Sequence, residues 1–326
     1  MDSFTRRDAL RCSVTAAAGL VLPAGGLLGA RARPARATRP RGPKPDFAVA
    51  FLTDMHVEDR QGAPAGFAKA VRNAFDRPQP PEVLVTGGDL VMDILRTGTA
   101  EADAQYALFD AQLAGVKVPI HHTLGNHDML GVYADSGVEP SHPRYGKAYF
   151  VERFAQPRTY HSFDHEGWHF VILDSLGIEE RNYIGWVDEE QRAWLEDDLA
   201  ASGKPTVVFT HVPLWSNYIE INRGIEEPIP RRISVVNAHE VAPILHRHSV
   251  KLVLAGHLHV NETFTWKGIQ YATVGAVSGD WWKGPREGFE EGYARLEFRG
   301  DEVRWEYVDY GWEAQPAAPE AATSSL

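Results

Sequence analysis

Five short polar blocks, Asp54-Met55-His56, Gly88-Asp89, Gly125-Asn126-His127-Asp128, Thr210-His211 and Gly256-His257-Leu258-His259, each follow a short apolar run in this chain. The runs, at 47–53, 83–86, 118–123, 206–210 and 251–255, have the length and residue types of buried strands. Helix-period segments separate the first three, over 64–75, where Pro64 sits in the first turn without losing a hydrogen bond, and over 100–113. The resulting βαβαβ order predicts a sheet with helices outside it. In such sheets the carboxyl ends of the strands open on one crevice, so the five blocks are expected to meet there.

The remaining elements fit the same class. Residues 159–174 alternate, with His165-Glu166-Gly167-Trp168 as a turn, which predicts a hairpin. Asp188, with Gln191 three residues on, is expected to cap a helix whose face is Trp194, Leu195 and Leu199. Asn237 with Glu240 predicts a second capped helix reaching about His248, and 262–276 and 293–308 predict two more hairpins. No internal repeat or composition break divides 46–312, so the simplest count is one two-sheet α/β domain, preceded by a Pro-rich linker over 38–45 and followed by an Ala/Pro/Ser tail over 313–326.

The first 37 residues have another character. Thr5-Arg6-Arg7-Asp8-Ala9-Leu10-Arg11 precedes an uncharged stretch over 12–30, and Ala35-Arg36-Ala37 is a small-x-small cleavage site. This resembles a twin-arginine export signal, with Ala9 where Phe is usual, cut after Ala37. The stretch is rich in Ala and Gly and contains Pro23, which suits a removable signal better than a stable membrane anchor. The resemblance implies passage through the twin-arginine translocation machinery in the folded state and a periplasmic or secreted location. Leu10 and Arg11 before Cys12 do not form a lipidation motif.

Charge narrows the partners. The chain has 33 basic and 44 acidic residues, net −11; removing residues 1–37 takes away six Arg and two Asp and leaves a balance of −15. Such a surface repels nucleic-acid backbones and anionic lipids, so neither is an expected partner. A small phosphate ester is not excluded, because bound divalent cations invert the local charge. The single cysteine, Cys12, leaves with the signal, so stability must come from core burial rather than disulfides.

Asp54 and His56 are two apart, so an extended segment would send both side chains to one face, and His257 with His259 repeats that spacing. Imidazoles, carboxylates and an amide without thiolate form a donor set for manganese, iron, zinc or cobalt.

The ordered blocks, over roughly 47–260, resemble the calcineurin-like metallophosphoesterase superfamily. That resemblance implies a two-sheet αββα sandwich and two divalent or mixed-valence metal ions. Asp54, His56, Asp89 and His259 would hold one ion, and Asp89, Asn126, His211 and His257 the other, with Asp89 bridging. His127 would stabilise or protonate the leaving oxygen, with Asp128 orienting its ring. The implied reaction is hydrolysis of a small phosphate ester by in-line attack of a metal-bound hydroxide.

Two departures place the chain within the superfamily. Met92 stands where purple acid phosphatases carry a tyrosine, and Asp93 is followed by Ile94-Leu95-Arg96 rather than the Arg-Gly of protein Ser/Thr phosphatases. The blocks look more like the bacterial class of cyclic-nucleotide and glycerophosphodiester phosphodiesterases. The alternatives are a phosphomonoesterase or nucleotide pyrophosphatase on the same site, and, more remotely, a non-catalytic metal-binding scaffold. Connections over 129–149, 212–232 and 279–291 are expected to border the metals. They carry Trp215, Tyr218, Arg223, Trp281, Trp282, Lys283 and Arg286, whose aromatics are expected to pack these loops against the sheet, with stacking on substrate as the alternative. The other histidines, on strands and helices, are expected to be structural or solvated.

Overall fold

The computed structural model describes residues 45–154 and 156–314. The expected signal over 1–37 lies outside the described residues, as do 38–44 of the linker and 315–326 of the tail. In chain order the elements are β1 (Phe47–Leu52), α1 (Ala63–Phe75), β2 (Val83–Thr86), α2 (Thr99–Leu113), β3 (Ile120–His122), α3 (Lys147–Arg153), β4 (His161–His165), β5 (Trp168–Ile172), β6 (Leu176–Glu179) and β7 (Asn182–Gly185). They continue with α4 (Glu189–Ser202), β8 (Thr206–Phe209), α5 (Tyr218–Arg223), α6 (Ala238–Arg247), β9 (Val250–Ala255), β10 (Glu262–Trp266), β11 (Ile269–Thr273), β12 (Gly292–Arg299) and β13 (Glu302–Asp309).

One sheet runs β13-β12-β1-β2-β3 and the other β10-β11-β9-β8-β5-β4, with β6-β7 as a separate hairpin. β1, β2 and β3 are parallel, and so are β5, β8, β9 and β11. Antiparallel strands close every edge but that of β3. Every residue of β1, β2 and β8 is buried, the pattern of strands covered on both faces. One face of each strand fills the layer between the sheets: Phe47, Val49 and Phe51 of β1 cluster there with Phe170, Phe209 and Phe298. Phe51 stacks on Phe209 at 5.2 Å and Phe170 meets Phe298 edge-on at 5.5 Å. Burying each of these rings contributes roughly 1.5–3 kcal/mol.

The opposite faces meet the helices. Leu52 and Leu84 cluster with Phe67 of α1 and Phe109 of α2, while Val171, Val208 and Val253 cluster with Leu195 of α4 and Val241 and Leu245 of α6. The layering is the αββα sandwich. Asp188 caps α4, its carboxylate accepting from the Gln191 backbone N–H at 2.8 Å. Asn237 does not cap α6 by its side chain. Its amide instead grips Val187, accepting from the backbone N–H at 3.1 Å and donating to the carbonyl at 2.7 Å, because the chain before α4 offers that buried pair a partner. The expected strand at 118–123 shrinks to three residues, and β6, β7, α3 and α5 lie in segments whose sequence carries no clear period. Among the described residues, no helix is long and apolar enough to cross a membrane.

Candidate metal centre

The parallel strands β1, β2, β3, β8 and β9 deliver the five polar blocks just past their carboxyl ends. The pleat does not aim them. β1 stops at Leu52, and Asp54 and His56 sit at φ 56° and 42°, as Asp89, His257 and His259 do at 51°, 75° and 57°. The expectation of an extended Asp-x-His pair is therefore corrected: left-handed turns, not strand alternation, point these side chains inward. Each such residue stores about 1–2 kcal/mol of strain. The neighbouring backbone holds it there: Asp54 N–H donates to Gly88 O and His56 N–H to Asp89 O, both at 3.0 Å. The Asp54 carboxylate accepts from His257 N–H at 2.9–3.0 Å. Two glycines make the approach possible. A Cβ at Gly125 would lie 2.0 Å from Asp89 N, and one at Gly256 would lie 2.3 Å from the Asp54 carboxylate.

Two donor groups result. In the first, His259 Nε2 lies 3.3 Å from Asp54 Oδ1 and 3.1 Å from His56 Nε2. In the second, His211 Nε2 lies 3.3 Å from Asp89 Oδ1 and 3.1 Å from Asn126 Oδ1, and His257 completes it. Asp89 belongs to both sides, since its Oδ2 is 3.6 Å from His56 Nε2. Backbone carbonyls set the tautomers: Nδ1 of His56 faces Met92 O at 3.4 Å, Nδ1 of His211 faces Gly87 O at 2.9 Å, and Nδ1 of His259 faces Gly279 O at 2.6 Å. A neutral ring in that tautomer presents its Nε2 lone pair to the cluster. His257 is reversed, with Nε2 toward Arg232 O at 2.8 Å and a buried Nδ1 that has no hydrogen-bond partner. Facing lone pairs and an orphaned ring nitrogen beside two carboxylates fit metal ions and little else.

Charge agrees with that fit. Burial raises the Asp54 carboxyl, but His259 beside it brings it down to about 2. Burial acts likewise on Asp89, and His211, His127 and His56 outweigh it and hold the group well below the carboxylate range. Burial lowers His56 to about 3 and, with the His211 charge, His257 to about 4. His211 goes the other way, to about 9, because Asp89 overcomes burial. The cluster thus sets two anions beside neutral His56 and His257 imidazoles and a His211 ring whose proton Asp89 holds.

His127 lies at the edge, its side chain 23% exposed and its Nε2 4.0 Å from Asp89 Oδ2. Asp128 does not orient it, which corrects the expected dyad. The Asp128 carboxylate is used up by Leu90 N–H at 3.0 Å, Tyr106 O–H at 2.9 Å and Gly125 N–H at 2.9 Å, so it shapes the loop. The carboxylate facing His127 Nδ1 belongs to Asp93, at 3.7 Å. Against burial, Asp89 and Asp93 hold the His127 imidazole at about 9. The sequence shows Asp93 as a departure from another family but gives it no role at the site, although its place four residues after Asp89 is a usable signal.

Of the bordering aromatics, Trp282 is fully buried and donates its indole N–H to Met55 O and His56 O, both at 3.0 Å, so it buttresses the His56 turn. Trp281 stands beside His259 at 4.7 Å and under Arg286 at 4.8 Å. Trp215 packs on Tyr271 at 5.1 Å. Sequence reasoning also missed Tyr183 of β7, whose ring meets the His257 ring edge-on at 6.1 Å. Burial and the Asp89 charge, in that order, raise its phenol. No pattern in β6–β7 announces this. Away from the centre, His246 and His248, expected to be solvated, bond Tyr271 O–H at 3.1 Å and Glu196 at 3.0 Å.

Residues 47–261 match the calcineurin-like phosphoesterase family. The chain is 24% identical over 244 residues to the 3',5'-cyclic adenosine monophosphate phosphodiesterase CpdA of Haemophilus influenzae, covering 72% of this chain and 77% of that protein. It is 28% identical over 148 residues to the probable purple acid phosphatase 20 of Arabidopsis thaliana, covering 44% of this chain and 32% of that one. In fold it is similar to a dimetal phosphatase from Danio rerio, with TM-score 0.60 and 16% identity over 82% of this chain and 98% of the other.

Proposed function

From its membership of the calcineurin-like phosphoesterase family, which makes it a hydrolase acting on phosphoric esters, we propose that this chain is a phosphodiesterase dependent on two metal ions. The observation that carries the reading is the place of Asp89 between the two donor groups, one carboxylate oxygen 3.6 Å from His56 and the other 3.3 Å from His211. Asp54, His56 and His259 with Asp89 would hold one ion, and Asn126, His211 and His257 with Asp89 the other. When bound, manganese, iron, zinc or cobalt supplies a hydroxide nucleophile at neutral pH and Lewis acidity toward phosphoryl oxygens. The protein's own groups do the rest. The carbonyls of Met92, Gly87 and Gly279 keep three imidazoles in the ligating tautomer. His127, protonated by virtue of Asp89 and Asp93, gives its proton to the leaving ester oxygen. The Asp93 carboxylate, 3.7 Å from the His127 Nδ1, favours the charged ring.

The preference for a diester is supported by the relative named as a cyclic-nucleotide phosphodiesterase, which matches over most of this chain. The purple acid phosphatases, matched over shorter stretches, favour a monoesterase as the second reading. We also propose twin-arginine export to the periplasm or medium, on the strength of Arg6-Arg7 and the Ala35-Arg36-Ala37 site; exported protein beginning at Thr38 is the expected product. The function is tested with bis-(p-nitrophenyl) phosphate. Manganese-loaded protein is expected to hydrolyse it faster than p-nitrophenyl phosphate, chelation to abolish turnover and manganese to restore it. Absence of turnover on both esters overturns the proposal; a faster monoester selects the second reading.

A further inference from the structure

The hairpin β6–β7 belongs to neither main sheet and is clamped on both sides. Arg181 at its turn donates to Val138 O at 2.7 Å and Tyr133 O at 3.0 Å. Gly185 N–H donates to Arg231 O at 2.8 Å, and Val236 N–H to Gly185 O at 2.9 Å. The clamp fixes Tyr183 against the second donor group, its ring perpendicular to that of His257 at 6.1 Å. Phenols in this protein usually find a partner: Tyr106, Tyr149, Tyr293 and Tyr310 bond Asp128, Asp103, Asn73 and Val277 O. Tyr183 is half-buried, and its hydroxyl makes no hydrogen bond among the described residues. The hydroxyl is not among the buried atoms left without a partner, so it is open to solvent and its O–H is available to an arriving ligand. Arg232 adjoins it. Its carbonyl accepts from His257, while its guanidinium has no carboxylate partner among the described residues.

We propose that the Tyr183 hydroxyl is a phosphate-binding group, donating a hydrogen bond to a non-bridging oxygen of the phosphoryl group held on the His211–His257 side. This rests on the phosphoester reading and adds to it a contact outside the five polar blocks. The hairpin clamp positions the donor before the ligand binds, so its contribution is not reduced by ordering a loop. Trp281 and Arg286 border the opposite, His259 side of the cluster.

The test is Tyr183→Phe in the full metal-loaded protein, which keeps the ring against His257 and removes only the hydroxyl. Inorganic phosphate is the probe, titrated by calorimetry, so that no turnover is needed. The variant is expected to carry the parent's metal content and melting temperature. Phosphate should bind about 10-fold or more weakly, as loss of a hydrogen bond to a charged oxygen implies, and kcat/KM for the diester should fall similarly. Unchanged phosphate affinity overturns the proposal, and so does a drop in metal content matching the loss, which would make Tyr183 a support of the ligand cluster. If the parent protein binds phosphate through Tyr183 but hydrolyses no phosphoester, the functional reading fails and this inference stands.

Discussion

The Nε2 atoms of His56 and His259 face each other at 3.1 Å while Nδ1 of each ring points at a backbone carbonyl. With the protons on Nδ1, neither Nε2 can donate, and two lone pairs at this separation call for a cation between them. His259→Ala is therefore expected to reduce the metal content from two ions per chain to one, by elemental analysis. Diester turnover should fall at least about 100-fold, since even indirect partners of metal ligands are worth 10- to 100-fold.

His127 and Asp93 act as a unit. His127→Ala is expected to lower kcat by about 100-fold or more with both ions retained, the range for loss of a general acid. Asp93→Asn should cost roughly 10-fold in kcat and leave KM unchanged, because it removes the charge 3.7 Å from the ring while the amide oxygen can still accept from Leu95 N–H. In the His127→Ala background the same change should add almost nothing. An additive loss would show that Asp93 acts by another route.

Gly66 lies inside α1, where Ala would ordinarily stabilise by about 0.5–1 kcal/mol. Here an added Cβ would come within 2.1 Å of the Trp282 ring, and that ring has nowhere to go because it is fully buried and bonded to Met55 O and His56 O. Gly66→Ala is expected to destabilise by about 1–3 kcal/mol, read as a lowered melting temperature, and to weaken metal binding through the His56 turn. A raised melting temperature would contradict the buttress role of Trp282.

Acid sensitivity should come from a histidine group away from the metals. Burial, helped by neighbouring charge, lowers His121 to about 4, His122 to about 3, and His161 also downward. His122 Nδ1 is 2.9 Å from the Thr86 hydroxyl and its ring stacks on Phe154 at 4.1 Å. Because the folded pKa values lie below the unfolded value of 6.5, the unfolded chain binds more protons. This stability is complete above about pH 6.5 and declines as pH falls toward 3–4, by up to about 1.4 kcal/mol per pH unit for each group. His122→Gln is expected to flatten the melting-temperature profile between pH 6.5 and 4; an unchanged slope would contradict the assignment.

Much of the fold was legible because strands buried on both faces leave continuous apolar runs, as at Phe47–Leu52, and because Asp188 announces its helix. The convergence of the ligand candidates was legible too, since parallel strands open on one edge. The means of convergence was not. Positive φ at Asp54, His56, Asp89, His257 and His259 arises from long-range bonds such as Asp54 to His257 N–H, which no local window contains. Asp128 misled because its neighbour in sequence is His127, whereas its partners are Tyr106 and Leu90 across the fold. Tyr183 was invisible because a four-residue strand carries no periodic signal.

The central claim, a shared Asp89 between two ions, is tested most directly by electron paramagnetic resonance of the manganese-loaded protein at stoichiometric loading. The account expects two ions per chain with the signal of an exchange-coupled pair, lost in Asp89→Asn. A spectrum of isolated manganese ions, or one ion per chain at saturation, would contradict it.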